Sequence, residues 1–150
     1  MSEPQFAPQF APQFIPEETQ SAEPVAQTGV VQKKEYAIAP VAEFPPNSHR
    51  VVKIGRREIG VFNVDGTFYA LPNLCTHQLG PLCKGRVSGT ILCSRDTEWK
   101  LQWGFDGEIV TCPWHGMEYH IKTGTCLAFP EIRLRSYEVW VEDDQVKVRL

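Results

Sequence analysis

From Val30 onward the chain alternates short apolar, β-branched runs with tight-turn signals. Residues 35–39 lead into a segment at 40–44 and a Pro45-Pro46-Asn47 turn. Residues 50–54 and 59–64 read as hairpin strands around Gly55-Arg56. Asp65-Gly66 is a two-residue turn signal, and the strand after it, 68–71, delivers the chain to Asn73, Leu74 and Cys75. Residues 87–92 form another short strand. Asp106-Gly107 reads as a turn into 108–112, followed by 118–121 and a Lys122-Thr123-Gly124 turn. Residues 134–141, Asp143-Asp144 and 146–150 form a last hairpin. Short strands with turns every ~8–12 residues predict an all-β domain.

The first 29 residues break that pattern. Pro-Gln-Phe-Ala, Pro-Gln-Phe-Ala and Pro-Gln-Phe-Ile follow one another over residues 4–15. Proline at every fourth position blocks helix and sheet ladders and favours extended chain. Residues 1–29 are therefore expected to be a disordered tail, with the domain at 30–150. Phe6, Phe10 and Phe14 are either docking anchors or part of a solvated linker, and the linker is the commoner case.

Composition narrows the class. The chain has 150 residues, 42% of them hydrophobic and 22% charged, which suits one domain with a modest core. The formal net charge is −3; four acids and no Lys or Arg lie in residues 1–30, so the remainder carries +1. Such a balance gives no basic patch for nucleic acid. No stretch approaches the ~18 apolar residues of a membrane span, and the N-terminus lacks the basic and apolar regions of a secretory signal. A cytoplasmic location is expected.

The chemistry concentrates in two short pairs. Cys75-Thr76-His77 is matched by Cys112-Pro113-Trp114-His115, and each pair holds one thiol and one imidazole. The first is followed by Gln78-Leu79-Gly80-Pro81-Leu82, the second by Gly116. This C-x-H and C-x-x-H arrangement resembles the ligand set of the Rieske [2Fe–2S] ferredoxins, soluble proteins of the oxygenase type. In that family two Cys hold one iron and two His the other. The resemblance covers roughly residues 36–150. It implies Cys75, His77, Cys112 and His115 as ligands of one [2Fe–2S] cluster. It also implies a fold of stacked antiparallel sheets, with a cluster-binding subdomain at about 72–129 inserted in a base of about 30–71 and 130–150. Thiolates stabilise ferric iron, while neutral imidazoles leave the other iron as the electron acceptor. The His pair raises the potential above that of an all-Cys cluster and offers an exit for the electron. Zinc is the rival metal, since Cys₂His₂ is also a tetrahedral zinc set, but zinc sites open with C-x₂₋₄-C and close with H-x₃₋₅-H.

The neighbouring residues refine the expectation. High-potential Rieske proteins join their ligand loops by a disulfide and place a Ser after the second His-Gly. Here Trp114 and Met117 stand at those positions, so a low potential is expected. Gly80 and Gly116 permit backbone N–H groups to approach the sulfurs. Tyr119 is either close to the cluster or a half-buried strand aromatic. Ala128-Phe129-Pro130 resembles the family's proline loop. Cys83, Cys93 and Cys126 remain; a Cys83–Cys93 bridge is one option, free thiols the other. Residues 93–106 exceed what compact ferredoxins need. Trp99 and Trp103, four apart, would share a helical face with Asp96 as its cap, and either pack as a lid or serve as a docking surface.

Oxygenases of this kind add a mononuclear iron held by two His and a carboxylate. Only His49 and His120 are left for that, so the resemblance implies an electron carrier rather than the oxygenase itself. Its implied partners are a reductase and a terminal oxygenase. The other readings are a small Rieske subunit of another redox complex, such as nitrite reductase, and a structural zinc protein.

Overall fold

The structure is a computed structural model in which residues 33–150 are described; the tail expected at 1–29 and the start of the domain at 30–32 lie outside them. Among the described residues nine strands run in order: β1 (Glu35–Pro40), β2 (Ser48–Ile54), β3 (Arg57–Val64), β4 (Thr67–Pro72), β5 (Arg86–Leu92), β6 (Gln102–Thr111), β7 (Glu118–His120), β8 (Glu138–Glu142) and β9 (Gln145–Arg149). They build three antiparallel three-stranded sheets, in the orders β1-β9-β8, β2-β3-β4 and β5-β6-β7. Among the described residues no helix is long and apolar enough to cross a membrane.

The β2-β3-β4 sheet is the central layer because its apolar residues face both ways. Ile59, Val61 and Ala70 pack with Ala39, Phe44, Val146 and Val148 of the first sheet and its approach. Phe62, Val64 and Leu71 pack on the other side with Val110, Tyr119 and Ile121. Both faces of β3 are thus covered, which explains its near-continuous apolar run. Leu71, Ile59 and Val110 are fully buried, each worth about 1.5–3 kcal/mol.

Turn chemistry sets the register. Asp65 and Gly66 both take positive φ, 49° and 88°, as the expected two-residue hairpin between β3 and β4 requires. Asp143 and Asp144 do the same between β8 and β9, at 50° and 58°.

Three expectations need correction. Asp106-Gly107 does not begin a strand: it lies inside β6, where the register against β5 shifts between Ser88 and Thr90. Phe105 and Gly107 have φ of 54° and 73°, so the glycine serves a bulge rather than a hairpin turn. The last hairpin starts at Glu138, not at 134. Leu134 is held elsewhere, its N–H donating to the Gly124 carbonyl at 2.9 Å. Trp99 and Trp103 share no helical face. Glu98 and Trp99 take φ of 53° and 60°, and Thr97 ties the segment into a turn through Ser94 N–H and C=O. The lid reading fails with it, since Trp99 and Trp103 are 71% and 59% exposed.

Candidate metal centre

Two strands deliver the two loops. β4 ends at Pro72, and Asn73 pins the start of the first loop. Its amide donates to Glu58 Oε2 at 2.9 Å and its Oδ1 accepts from the Cys83 N–H at 2.7 Å. β6 ends at Thr111, one residue before Cys112.

The loops then repeat one backbone design. The Cys75 N–H donates to Gly80 O at 2.8 Å, and the Cys75 carbonyl accepts from Leu79 N at 2.9 Å. The Cys112 N–H donates to Met117 O at 2.8 Å, and the Cys112 carbonyl accepts from Gly116 N at 3.0 Å. In both loops the fourth residue after the cysteine is left-handed: Leu79 at φ 57° and Gly116 at φ 70°. Glycine takes that conformation without cost; leucine does not.

The donors sort themselves by burial. Cys75 and Cys112 are each 1% exposed, whereas His77 and His115 are exposed. The imidazoles face each other through their Nδ1 atoms, 3.1 Å apart, with ring planes at 84°. Burial lifts the Cys112 thiol above its ordinary range, and the neighbouring Cys75 lifts it further. The N–H groups of Trp114 and His115 pull the other way by donating to the sulfur. Among the described residues no three or more His, Cys, Asp or Glu side chains gather as a site for a metal ion. The four candidates come as an inner sulfur pair and an outer nitrogen pair.

That division fits a two-iron cluster of the Rieske type, in which two thiolates hold one iron and two imidazoles the other. The cradle is also shaped for close approach. A Cβ on Gly80 would lie 3.1 Å from Cys112 Sγ and 3.1 Å from the Trp114 ring, so only glycine leaves both in place.

The neighbouring residues expected to matter take distinct places. Tyr119 is fully buried, with its hydroxyl 3.4 Å from Cys75 Sγ and 2.7 Å from Thr76 Oγ1. Burial pushes its phenol up to about 12. Met117 is half-buried against the same core. Ala128 borders a cavity of about 550 Å³ with Thr90, Leu92, Phe105 and Glu118, while Phe129 is 47% exposed. His49 stacks on Phe62, 5.3 Å between centroids, and burial lowers its pKa. His120 faces Glu108 at 3.1 Å and Phe105 at 5.0 Å. All five cysteines are unpaired. Cys83 is buried and its thiol is pushed up to about 12 by that burial, while Cys93 is exposed. Sequence reasoning missed the Asn73 clamp; its signal, an Asn two residues before the first Cys, is visible only once Glu58 and Cys83 are brought beside it.

Known proteins are similar to this chain in sequence and fold. The sequence profile of the Rieske-like [2Fe-2S] domain matches residues 35–149. Ferredoxin CarAc of Metapseudomonas resinovorans is 28% identical over 69% of this chain and 81% of its own length. The biphenyl dioxygenase ferredoxin subunit of Pseudomonas sp. (strain KKS102) is 29% identical over 72% and 84%. Among solved structures, a chain in the complex of reduced oxygenase and oxidized ferredoxin in carbazole 1,9a-dioxygenase is 26% identical. Its TM-score is 0.58, covering 76% of this chain and 91% of that one.

Proposed function

The chain belongs to the Rieske-like [2Fe-2S] domain family, and from that premise we propose that it is the ferredoxin component of a ring-hydroxylating oxygenase system. It transfers electrons through a Rieske [2Fe–2S] cluster and is not itself a catalyst. The observation that carries the proposal is the opposed donor pairs: two buried thiols inside, two exposed imidazoles outside. Cys75, His77, Cys112 and His115 hold the cluster. When bound, the cluster supplies a one-electron couple.

The protein's residues do the rest. Cys75 and Cys112 anchor the charge-rich side in the core, where the Trp114 and His115 N–H groups donate to sulfur. His77 and His115 present the other side to a partner, which shortens the electron's path out. The domain runs over about 30–150, with the loops carried by a subdomain of about 72–129. Partners are a reductase that loads the electron and an oxygenase that takes it; an oxygenase is what accompanies ferredoxin in one similar structure. Cys83, Cys93 and Cys126, unbridged and outside the proposed ligand set, support a cytoplasmic location.

The test is an iron and sulfide count with an EPR spectrum of the dithionite-reduced protein. Two iron and two sulfide per chain with a Rieske signal are expected. One zinc and no labile sulfide would refute the proposal.

A further inference from the structure

The face around the paired imidazoles is built for apolar contact. Residues 75–82 and 112–117 contain no Asp, Glu, Lys or Arg. Their large apolar side chains exposed beside His77 and His115 are Leu79, 65% exposed, and Trp114, 58% exposed, with the uncharged Thr76, Gln78 and Pro113 also at the surface.

Neither exposure is explained by packing alone. Leu79 occupies the left-handed position that glycine fills in the other loop. Asn would tolerate that backbone and suit water better. Left-handed backbone at a non-glycine residue costs free energy and clusters at functional sites. Trp114 lies across Gly80, which has no Cβ to displace it, and meets the His115 ring edge-on at 6.4 Å. The indole is thus held in place while most of its surface stays open. Rigid aromatic rings of this kind anchor interfaces at small entropic cost.

We propose that the oxygenase component docks on this face through an uncharged apolar patch of its own, with Leu79 and Trp114 as the anchors flanking the His77–His115 pair. The inference rests on the function proposed above and adds the chemistry of the partner's surface. An oxygenase is the occupant because a 26% identical chain occurs in a complex of oxygenase and ferredoxin. Recognition then depends on apolar burial rather than on charge, so it responds weakly to salt.

The experiment uses the full chain with its cluster and gold electrodes as chemically defined surfaces. Methyl-, carboxylate- and amine-terminated alkanethiol monolayers stand in for apolar, acidic and basic partner faces. Electron exchange is expected to be fastest on the methyl surface and to change by less than about twofold between 0.05 and 0.5 M salt. Leu79→Asn suits the local backbone, so cluster content, EPR spectrum and midpoint potential should be unchanged. Exchange on the methyl surface should fall about tenfold, the loss expected of an interface anchor. Leu79→Lys should fall equally there and gain on the carboxylate surface. Fastest exchange of the native protein on a charged monolayer would overturn the inference, as would a Leu79→Asn variant that exchanges like the native protein. An intact Rieske EPR signal in either case leaves the proposed function standing. No such signal in the native protein brings down both.

Discussion

Strand β6 has two unlike ends. At one, Ile109 and Val110 are fully buried and the strand hands the chain to Cys112, also in the core. At the other, Trp103 and Phe105 are 59% and 42% exposed, and Leu101, just before the strand, is 75% exposed. The sheet explains the difference. The Cys112 end pairs with both β5 and β7, at Val110↔Tyr119 for one, and packs beneath the central layer. The far end pairs with β5 alone, through Thr90↔Gly104, Ile91↔Trp103 and Leu92↔Gln102. A two-stranded ribbon has no third strand to steady it. Trp103 nonetheless has a fixed place: it lies over Gly89, and its indole N–H donates to Asp106 at 3.1 Å. Its exposure nearly equals that of Trp114, so exposure alone does not mark a redox face. What separates the two is company, since only Trp114 sits against a candidate ligand and a charge-free loop.

The sharpest break between the ends is chemical. Cys112→Ser or Cys75→Ser should abolish cluster assembly, read as loss of the EPR signal and of labile sulfide. Removing Trp103 with Ala should leave the iron count at the native value. A Trp103→Ala protein that purifies without its cluster would show that the ribbon supports the site.

Stability should separate the ends next. Ile109→Ala opens a cavity in the core and should cost about 2–5 kcal/mol. Trp103→Ala removes one exposed hydrogen bond and a glycine contact, worth about 1 kcal/mol or less. Urea unfolding of the two variants measures both. Equal losses would mean that the ribbon packs as tightly as the core.

The same contrast governs what could be read in advance. The candidate site's end could be singled out from sequence because its residues are short-range and chemically specific: a Cys and a His two or three apart, beside Gly80 and Gly116. The hairpins at Asp65-Gly66 and Asp143-Asp144 were legible because the turn residues carry the conformation themselves. The ribbon was not. A four-residue spacing of Trp99 and Trp103 mimics a helix, and nothing local reveals that Glu98 and Trp99 turn left-handed. Asp106-Gly107 has the composition of a hairpin turn, but Gly104 and Gln102 continue the pairing on its far side, which makes it a bulge. Leu79 was equally hidden, since its left-handed φ stands out only when the two loops are set side by side. Tyr119 was left open between two roles, and long-range packing placed its hydroxyl beside Cys75.

That tyrosine supplies the smallest effect and the finest test of the ligand end. Reduction adds negative charge to the bridging sulfurs and thiolates, so each hydrogen bond donated to sulfur favours the reduced state and raises the potential. The loop disulfide and the serine donor of high-potential proteins are replaced here by Trp114 and Met117. The midpoint is therefore expected near the low end of the Rieske range, about −150 mV, and flat between pH 6 and 8. Tyr119 works against that trend, with its hydroxyl 3.4 Å from Cys75 Sγ. A hydrogen bond contributes about 0.5–1.5 kcal/mol, and tenfold in a one-electron equilibrium is about 59 mV. Tyr119→Phe should then lower the midpoint by about 20–60 mV while keeping two iron per chain. Protein-film voltammetry of both proteins over that pH range reads the shift. An unchanged midpoint would mean that the hydroxyl spends its proton on Thr76 Oγ1, 2.7 Å away, and that backbone N–H groups alone set the potential.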